Sequence, residues 1–192
     1  MANLVRELPF GTTIEGKKNG AFVAMTLRSK LYKNYGDPNV DPEQVVDIVV
    51  MCQRWDGLQG LIGGFVDPGE SIEDCAVREV LEEVSFPLQK QFLEPLATHE
   101  LNRVVVHAFH VNLSKDGELW ADHDVKNLFR GMSYAKHLVV EGNPIFVHMK
   151  TYDKWGKGFK NTINSNTLAS AVKEELEILA TKLGIPIEYP SA

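Results

Sequence analysis

Between Glu70 and Glu83 the chain carries six acidic side chains and a single basic one, Arg78. Three of the acids, Glu79, Glu82 and Glu83, recur at i, i+3 and i+4, the spacing that gathers side chains on one face of an α-helix. Like charges so placed repel by roughly 0.2–0.5 kcal/mol per pair, and the C-terminal half of a helix, where they would sit, disfavours anions. Such a ridge needs a counter-charge. A hard divalent cation, Mg²⁺ or Mn²⁺, suits it: Mg²⁺ prefers oxygen ligands, uses few carboxylates and completes its shell with water and phosphate oxygens. The bland alternative is a solvated acidic face. Just upstream, Gly63-Gly64 would let the backbone approach a cation and phosphates closely. The chemistry that fits is a bound cation whose shell is completed by water and phosphate oxygens.

A helix must carry this ridge. Ser71 followed by Asp74 is a capping signal, and Ala76, Val77, Val80, Leu81 and Val84 give an apolar face, so the pattern predicts a helix over Ser71–Ser85. Further helices are predicted over Asp122–Phe129 and Thr167–Leu183. The second has a stripe of Leu168, Val172, Leu176, Leu179 and Leu183, with Gly184 and Pro186 as stop signals. Strands are predicted over Ala21–Leu27, Val45–Arg54, Gly60–Val66, Phe92–Glu100, Arg103–Leu113 and Val139–Met149, all rich in β-branched, aromatic or aliphatic residues. Ser29–Glu43, with Gly36, Pro38 and Pro42, reads as a loop. Such an order suits an α/β protein with helices on both faces of a mixed sheet.

Bulk properties narrow the class. The 192 residues suit one domain, 1–192, and 44% hydrophobic with 24% charged residues is ordinary for a globular protein. A net charge of −6 does not favour polyanions over the whole surface, so a nucleotide would have to be attracted locally. No apolar run reaches membrane-spanning length and the N-terminus lacks a signal-peptide layout, which predicts a cytoplasmic protein without a membrane partner. Cys52 and Cys75 are expected as buried free thiols.

The stretch 64–86, GFVDPGESIEDCAVREVLEEVSF, resembles the Nudix box: a glycine, five residues, Glu70, seven residues, then Arg78-Glu79-Val80-Leu81-Glu82-Glu83. Only the glycine before the final bulky residue departs, replaced by Ser85. The resemblance implies the Nudix fold, an α/β/α sandwich with a mixed β-sheet. It also implies a Mg²⁺- or Mn²⁺-dependent pyrophosphohydrolase. In that scheme the Gly63 carbonyl, Glu79, Glu82 and Glu83 are metal ligands, with Glu82 alternatively accepting the proton of the attacking water. Arg78 orients Glu70, a supporting residue, and Gly64 lies against the substrate.

Upstream, Arg54-Trp55-Asp56-Gly57, Gly60 and Gly63–Asp67, with Asn164 and Asn166 before the last helix, resemble the nucleolar-RNA-decapping and inosine-diphosphate-hydrolysing branch. There the counterpart of Arg54 grips the nucleotide, and residues at the positions of Leu61 and near Val23 contact the base. This chain lacks that branch's aromatic and histidine at the latter two. Glu175 falls near a base-contacting glutamine of the branch. It reads either as an acceptor for a donor edge such as guanine's or as a solvated helix position. Arg54 reads equally as a strand-end ion pair. The expected substrate is a nucleoside di- or triphosphate or a nucleotide-capped RNA 5′ end, with a second copy of the chain kept open as a partner. ADP-ribose or a dinucleotide is the alternative. It is weakened because Glu100 stands where ADP-ribose-cleaving relatives carry proline, and because the Ser-Gln-Pro-Trp-Pro-Phe-Pro string of NADH-cleaving relatives is missing. A nucleotide-sensing module is the non-enzymatic alternative, although binding alone gives no reason for three mutually repelling glutamates. Lys150–Lys160 interleaves Lys154 and Lys157 with aromatic residues, a pattern that suits RNA or a solvated loop. His99, His137 and Glu141 are further candidates for a base or an extra ligand.

Overall fold

The computed structural model describes residues 5–29, 45–54, 56–114, 143–149, 162–163 and 167–186. The expected helix 122–129, residues 30–43 of the expected loop, the segment 150–160, and Trp55, His137, Glu141, Asn164 and Asn166 lie outside them. The elements in chain order are β1 (Arg6–Leu8), β2 (Lys18–Ser29), β3 (Val46–Gln53), β4 (Gln59–Gly60), β5 (Ile62–Phe65), α1 (Ile72–Val84), β6 (Glu94–Glu100), β7 (Val104–Asn112), β8 (Asn143–His148) and α2 (Val172–Lys182). No helix among the described residues is long and apolar enough to cross a membrane.

The strands form one mixed sheet in the order β1-β6-β7-β2-β3-β4, with β5 also pairing β2 and β8 pairing β3. The β2–β7 pairing is parallel and the others are antiparallel. Alternation along β2 and β3 divides the core. Val23, Met25, Leu27, Ile48 and Val50 face Cys75, Ala76, Val80 and Val84 of α1. Ala24, Val49 and Met51 face Val172, Leu176 and Leu179 of α2. A strand whose successive side chains are all apolar is buried on both faces, so one helix layer on each side follows. This is the expected α/β/α sandwich.

Two expectations about elements need correction, and one strand was missed. The single strand expected over Gly60–Val66 is two, because β4 pairs with β3 whereas β5 turns to pair with β2. The helix expected from Thr167 begins five residues later. Residues 167–169 run alongside β4 instead, with Gln59 N–H donating to the Thr167 carbonyl and Ala169 N–H to that of Gln59. Leu168 therefore lies before the helical stripe, and Leu183, at the far end, is exposed. β1 had no signal in the sequence because three residues are too few to show a period.

α1 starts as predicted: the Ser71 side chain accepts from the Asp74 N–H at 3.1 Å. It ends on Ser85 in the left-handed region, φ 54°, with its N–H donating to the Leu81 carbonyl. An L-residue other than glycine pays roughly 1–2 kcal/mol in that conformation, partly offset by the entropy glycine adds to the unfolded chain. Ser85→Gly, which restores the residue expected there, should stabilise the fold by about 0.5–1 kcal/mol. A denaturant midpoint at or below that of the wild type would contradict this.

Candidate active site

Two helices and a glycine-rich turn converge on a cavity of about 380 Å³. One side is lined by Glu79 and Glu83 of α1, Cys52 of β3 and the Gly63-Gly64 backbone, and the other by Phe22, Leu61, Val106, Val172 and Glu175, with Arg54 also in the wall. The cavity lies beside the point where β2 changes partners, its residues 20–23 pairing with β5 and 25–29 with β3.

The turn requires its glycines. Gly63 has φ 149°, and a Cβ there would lie 2.2 Å from the Ala21 carbonyl oxygen. At Gly64 a Cβ would lie 2.4 Å from Glu79 Oε1, so the bare backbone is what lets this carboxylate lie against the turn. Glu83 Oε2 accepts the Gly63 N–H at 3.1 Å. Glu79 and Glu83 are thus both held against one short stretch of backbone.

Arg78 organises the rest. It grips Glu70 through two bonds, Nε to Oε1 at 2.9 Å and Nη2 to Oε2 at 3.0 Å. Its Nη1 donates to Glu79 Oε1 at 2.7 Å and Glu82 Oε2 at 3.2 Å, and Nη2 also reaches the Phe65 carbonyl. The ridge is therefore not bare without a cation, as charge spacing alone suggested, because Arg78 offsets part of the charge of Glu79 and Glu82. Glu82, 52% exposed at its side chain, is not part of the cavity wall. Helical spacing made the three glutamates equivalent, and packing against the turn separates them.

The Arg78 guanidinium holds the Glu70 carboxyl below its ordinary 4.5, and the bond from Asp67 N–H adds to this. A depressed carboxylate stabilises the fold above its unfolded pKa, and that contribution is lost as pH falls through the lower folded value. Glu70→Gln should therefore cost about 1–2 kcal/mol at pH 7. The gap from wild type should shrink as pH drops below about 4.5. A gap that stays constant with pH, followed by chemical denaturation, would argue against the pairing as the source.

Arg54 does make the strand-end ion pair, Nη2 to Asp56 Oδ2 at 2.9 Å, yet it also reaches the cavity, its stem passing over Gly60. Leu61 lines the cavity as expected of its position. Phe22, which the sequence reading missed, supplies an aromatic wall. Its signal was available in the alternation of β2, which turns Phe22 away from the α1 layer. The solvated reading of Glu175 is wrong, since the residue is 1% exposed and lines the cavity. His99 is equally buried, in β6, with Nδ1 3.9 Å from Glu175 Oε1, and it does not line the cavity. Both cysteines are free and buried.

Among the described residues no three His, Cys, Asp or Glu side chains form a ready cation cage. Glu79 and Glu83 with a glycine carbonyl nevertheless fit Mg²⁺, which binds through one or two carboxylates and keeps positions for water and phosphate.

The sequence profile described as NUDIX domain matches residues 40–145, more than half of the chain. The chain belongs to the Nudix family. Relatives include an NAD-capped RNA hydrolase of Pseudomonas putida, 30% identical over an alignment of 94 residues that covers 43% of this chain and 34% of the relative. Another, of Pseudomonas entomophila, is 28% identical over 121 residues, 53% and 44% of the two chains. The chain thus spans a third to under a half of the length of these curated relatives. The Nudix fold itself recurs in a MutT/Nudix family protein of Listeria innocua, with TM-score 0.56, 16% identity and 90% and 96% of the chains covered. It recurs also in a Bacillus subtilis pyrophosphohydrolase, with TM-score 0.55, 14% identity and 96% and 94% covered. At these identities the likeness is one of fold.

Proposed function

We propose that the chain is a Mg²⁺- or Mn²⁺-dependent pyrophosphohydrolase. Water attacks a phosphoanhydride bond of a nucleoside di- or triphosphate, or of the same group capping an RNA 5′ end. The observation that carries this is one cavity bordered on one side by Glu79, Glu83 and the Gly63-Gly64 backbone and on the other by an apolar slot, with Arg54 in its wall. Its volume suits a mononucleotide. When bound, the metal neutralises diphosphate charge and lowers the pKa of the attacking water. Glu79 and Glu83 hold it with the Gly63 carbonyl. Arg78 keeps Glu79 in place while itself fixed by Glu70. Glu82, outside the cavity wall and bonded to Arg78, supports the ridge through that arginine. Arg54 exchanges Asp56 for a substrate phosphate, and the planar base enters between Phe22 and Leu61.

The names of the Pseudomonas relatives favour a second reading, an NAD-type dinucleotide cap. A panel of nucleoside di- and triphosphates, ADP-ribose, dinucleotides and triphosphate- or NAD-ended RNA, with Mg²⁺ and with EDTA, separates these readings. Hydrolysis of none with Mg²⁺ or with Mn²⁺ in its place would leave a nucleotide-sensing module. Full activity in EDTA would remove the metal from the scheme. If Arg54 grips ground and transition states alike, Arg54→Ala should raise KM about tenfold and change kcat little. A loss confined to kcat would move Arg54 into the chemistry.

A further inference from the structure

We propose that the groove between β1 and α2 is a second ligand site, separate from the nucleotide cavity, that takes a small aliphatic diamine or polyamine. The groove, of about 560 Å³, is lined on one side by Val5, Glu7 and His99 of the sheet edge and on the other by Glu174, Glu177 and Ile178 of α2. None of these residues lines the active-site cavity. Glu7 and His99 are directly opposite each other in the antiparallel β1–β6 register, so their side chains leave the same face of the sheet, the one α2 covers. Lys182 also borders the groove, but it is already bonded to Glu94 at 2.7 Å, and Lys173 offsets part of Glu177 from 3.9 Å. Negative charge is left in excess. Acidic side chains alone would make only a solvated face. His99 makes the groove more than that, because it is 2% exposed and part of the wall, yet its Nδ1 has no hydrogen-bond partner. Glu175 Oε1, at 3.9 Å, is beyond bonding distance. A buried polar group left unpaired is costly, and one in the wall of a groove marks a place where a ligand completes the bonding.

The ligand that fits is cationic and elongated. Among the described residues no three His, Cys, Asp or Glu side chains are grouped so as to hold a metal ion, so the charge is spread along the groove instead of gathered at a point. Glu174 and Glu177, three residues apart, share one face of α2, whereas Glu7 stands across from them on the sheet edge. Val5 and Ile178 add apolar surface, which suits a methylene chain. A diamine carries the same pattern, an ammonium at each end of an aliphatic stem. One end meets Glu7 and His99, whose unprotonated ring nitrogen accepts an N–H, and the other meets Glu174 and Glu177. A monoamine satisfies only one side. The site does not depend on the hydrolase reading.

The test is calorimetry of the full chain with putrescine, spermidine and butylamine, in Mg²⁺ sufficient to occupy the acidic ridge of α1, with the His99 imidazole followed by NMR. One putrescine or spermidine should bind per chain, about fivefold tighter than butylamine, and should shift the His99 ring signals. Glu7→Gln combined with Glu174→Gln removes charge from both sides of the groove at an exposed and a half-buried position. Its affinity for putrescine should fall by about fivefold or more. Absence of binding overturns the proposal, as does binding without movement of the His99 signals or an unchanged affinity in the folded double variant. Binding that Mg²⁺ abolishes belongs to the ridge and overturns it too. Butylamine bound as tightly as putrescine overturns the diamine and leaves a groove for a single ammonium such as a lysine side chain. If melting curves show that the double variant does not fold, the wild-type preference and the His99 shifts decide. Nucleotide hydrolysis, measured separately, can fail without altering any of these outcomes.

Discussion

Glu83→Gln is expected to leave the chain folded and to lower kcat by about 10²–10³-fold. The amide keeps an oxygen that can accept the Gly63 N–H, now bonded to Glu83 Oε2 at 3.1 Å, so the turn retains its anchor. What disappears is a negative charge lining the cavity where cation and diphosphate would meet. A group acting on charge that develops in the transition state lowers kcat more than it raises KM when removed. The structure adds an ordering that residue spacing does not contain. Glu82 is solvent-exposed and tied to Arg78, and it is not in the cavity wall. Glu82→Gln should therefore lose less than Glu83→Gln. Steady-state kinetics at saturating Mg²⁺ checks both, and wild-type turnover by Glu83→Gln would sink the metal-site assignment.

Gly63→Ala should destabilise the fold by about 3 kcal/mol, a fall in Tm of roughly 6–12 °C for a domain of this size. The added methyl would meet the Ala21 carbonyl oxygen at 2.2 Å and the Phe22 Cα at 2.7 Å, both backbone atoms of the paired strand. A side chain can rotate away from such an overlap. A backbone atom cannot, so the Phe22–Gly63 pairing of β2 with β5 must open. Because the same backbone fixes Glu83, activity should fall with stability, and added Mg²⁺ should restore little of either. A melting temperature within 2 °C of the wild type would show that the turn yields more easily than its φ of 149° implies.

Much of this site was legible in the chain itself because it is local. The ridge, its helix and the cap at Ser71 all lie within 23 consecutive residues, where helical geometry fixes relative positions without any tertiary contact. Arg78 and Glu70, eight residues apart, pair as the family resemblance implied. The alternation of β2 and β3, apolar on both faces, likewise implied two helix layers.

What the sequence left open was decided by contacts between distant segments. Whether an acidic residue on a helix is solvated or buried depends on what lies across from it, and Glu175 meets His99, which is 76 residues earlier in the chain. Phe22 becomes a cavity wall only because β2 pairs with the Gly63 turn. Thr167–Ala169 runs alongside β4 because its backbone groups bond to Gln59, an interaction that outweighs the helical pattern of its side chains. Periodicity therefore determined the carboxylate ridge and the layers. Strand pairing and burial, which depend on where other segments lie, decided which glutamates line the cavity.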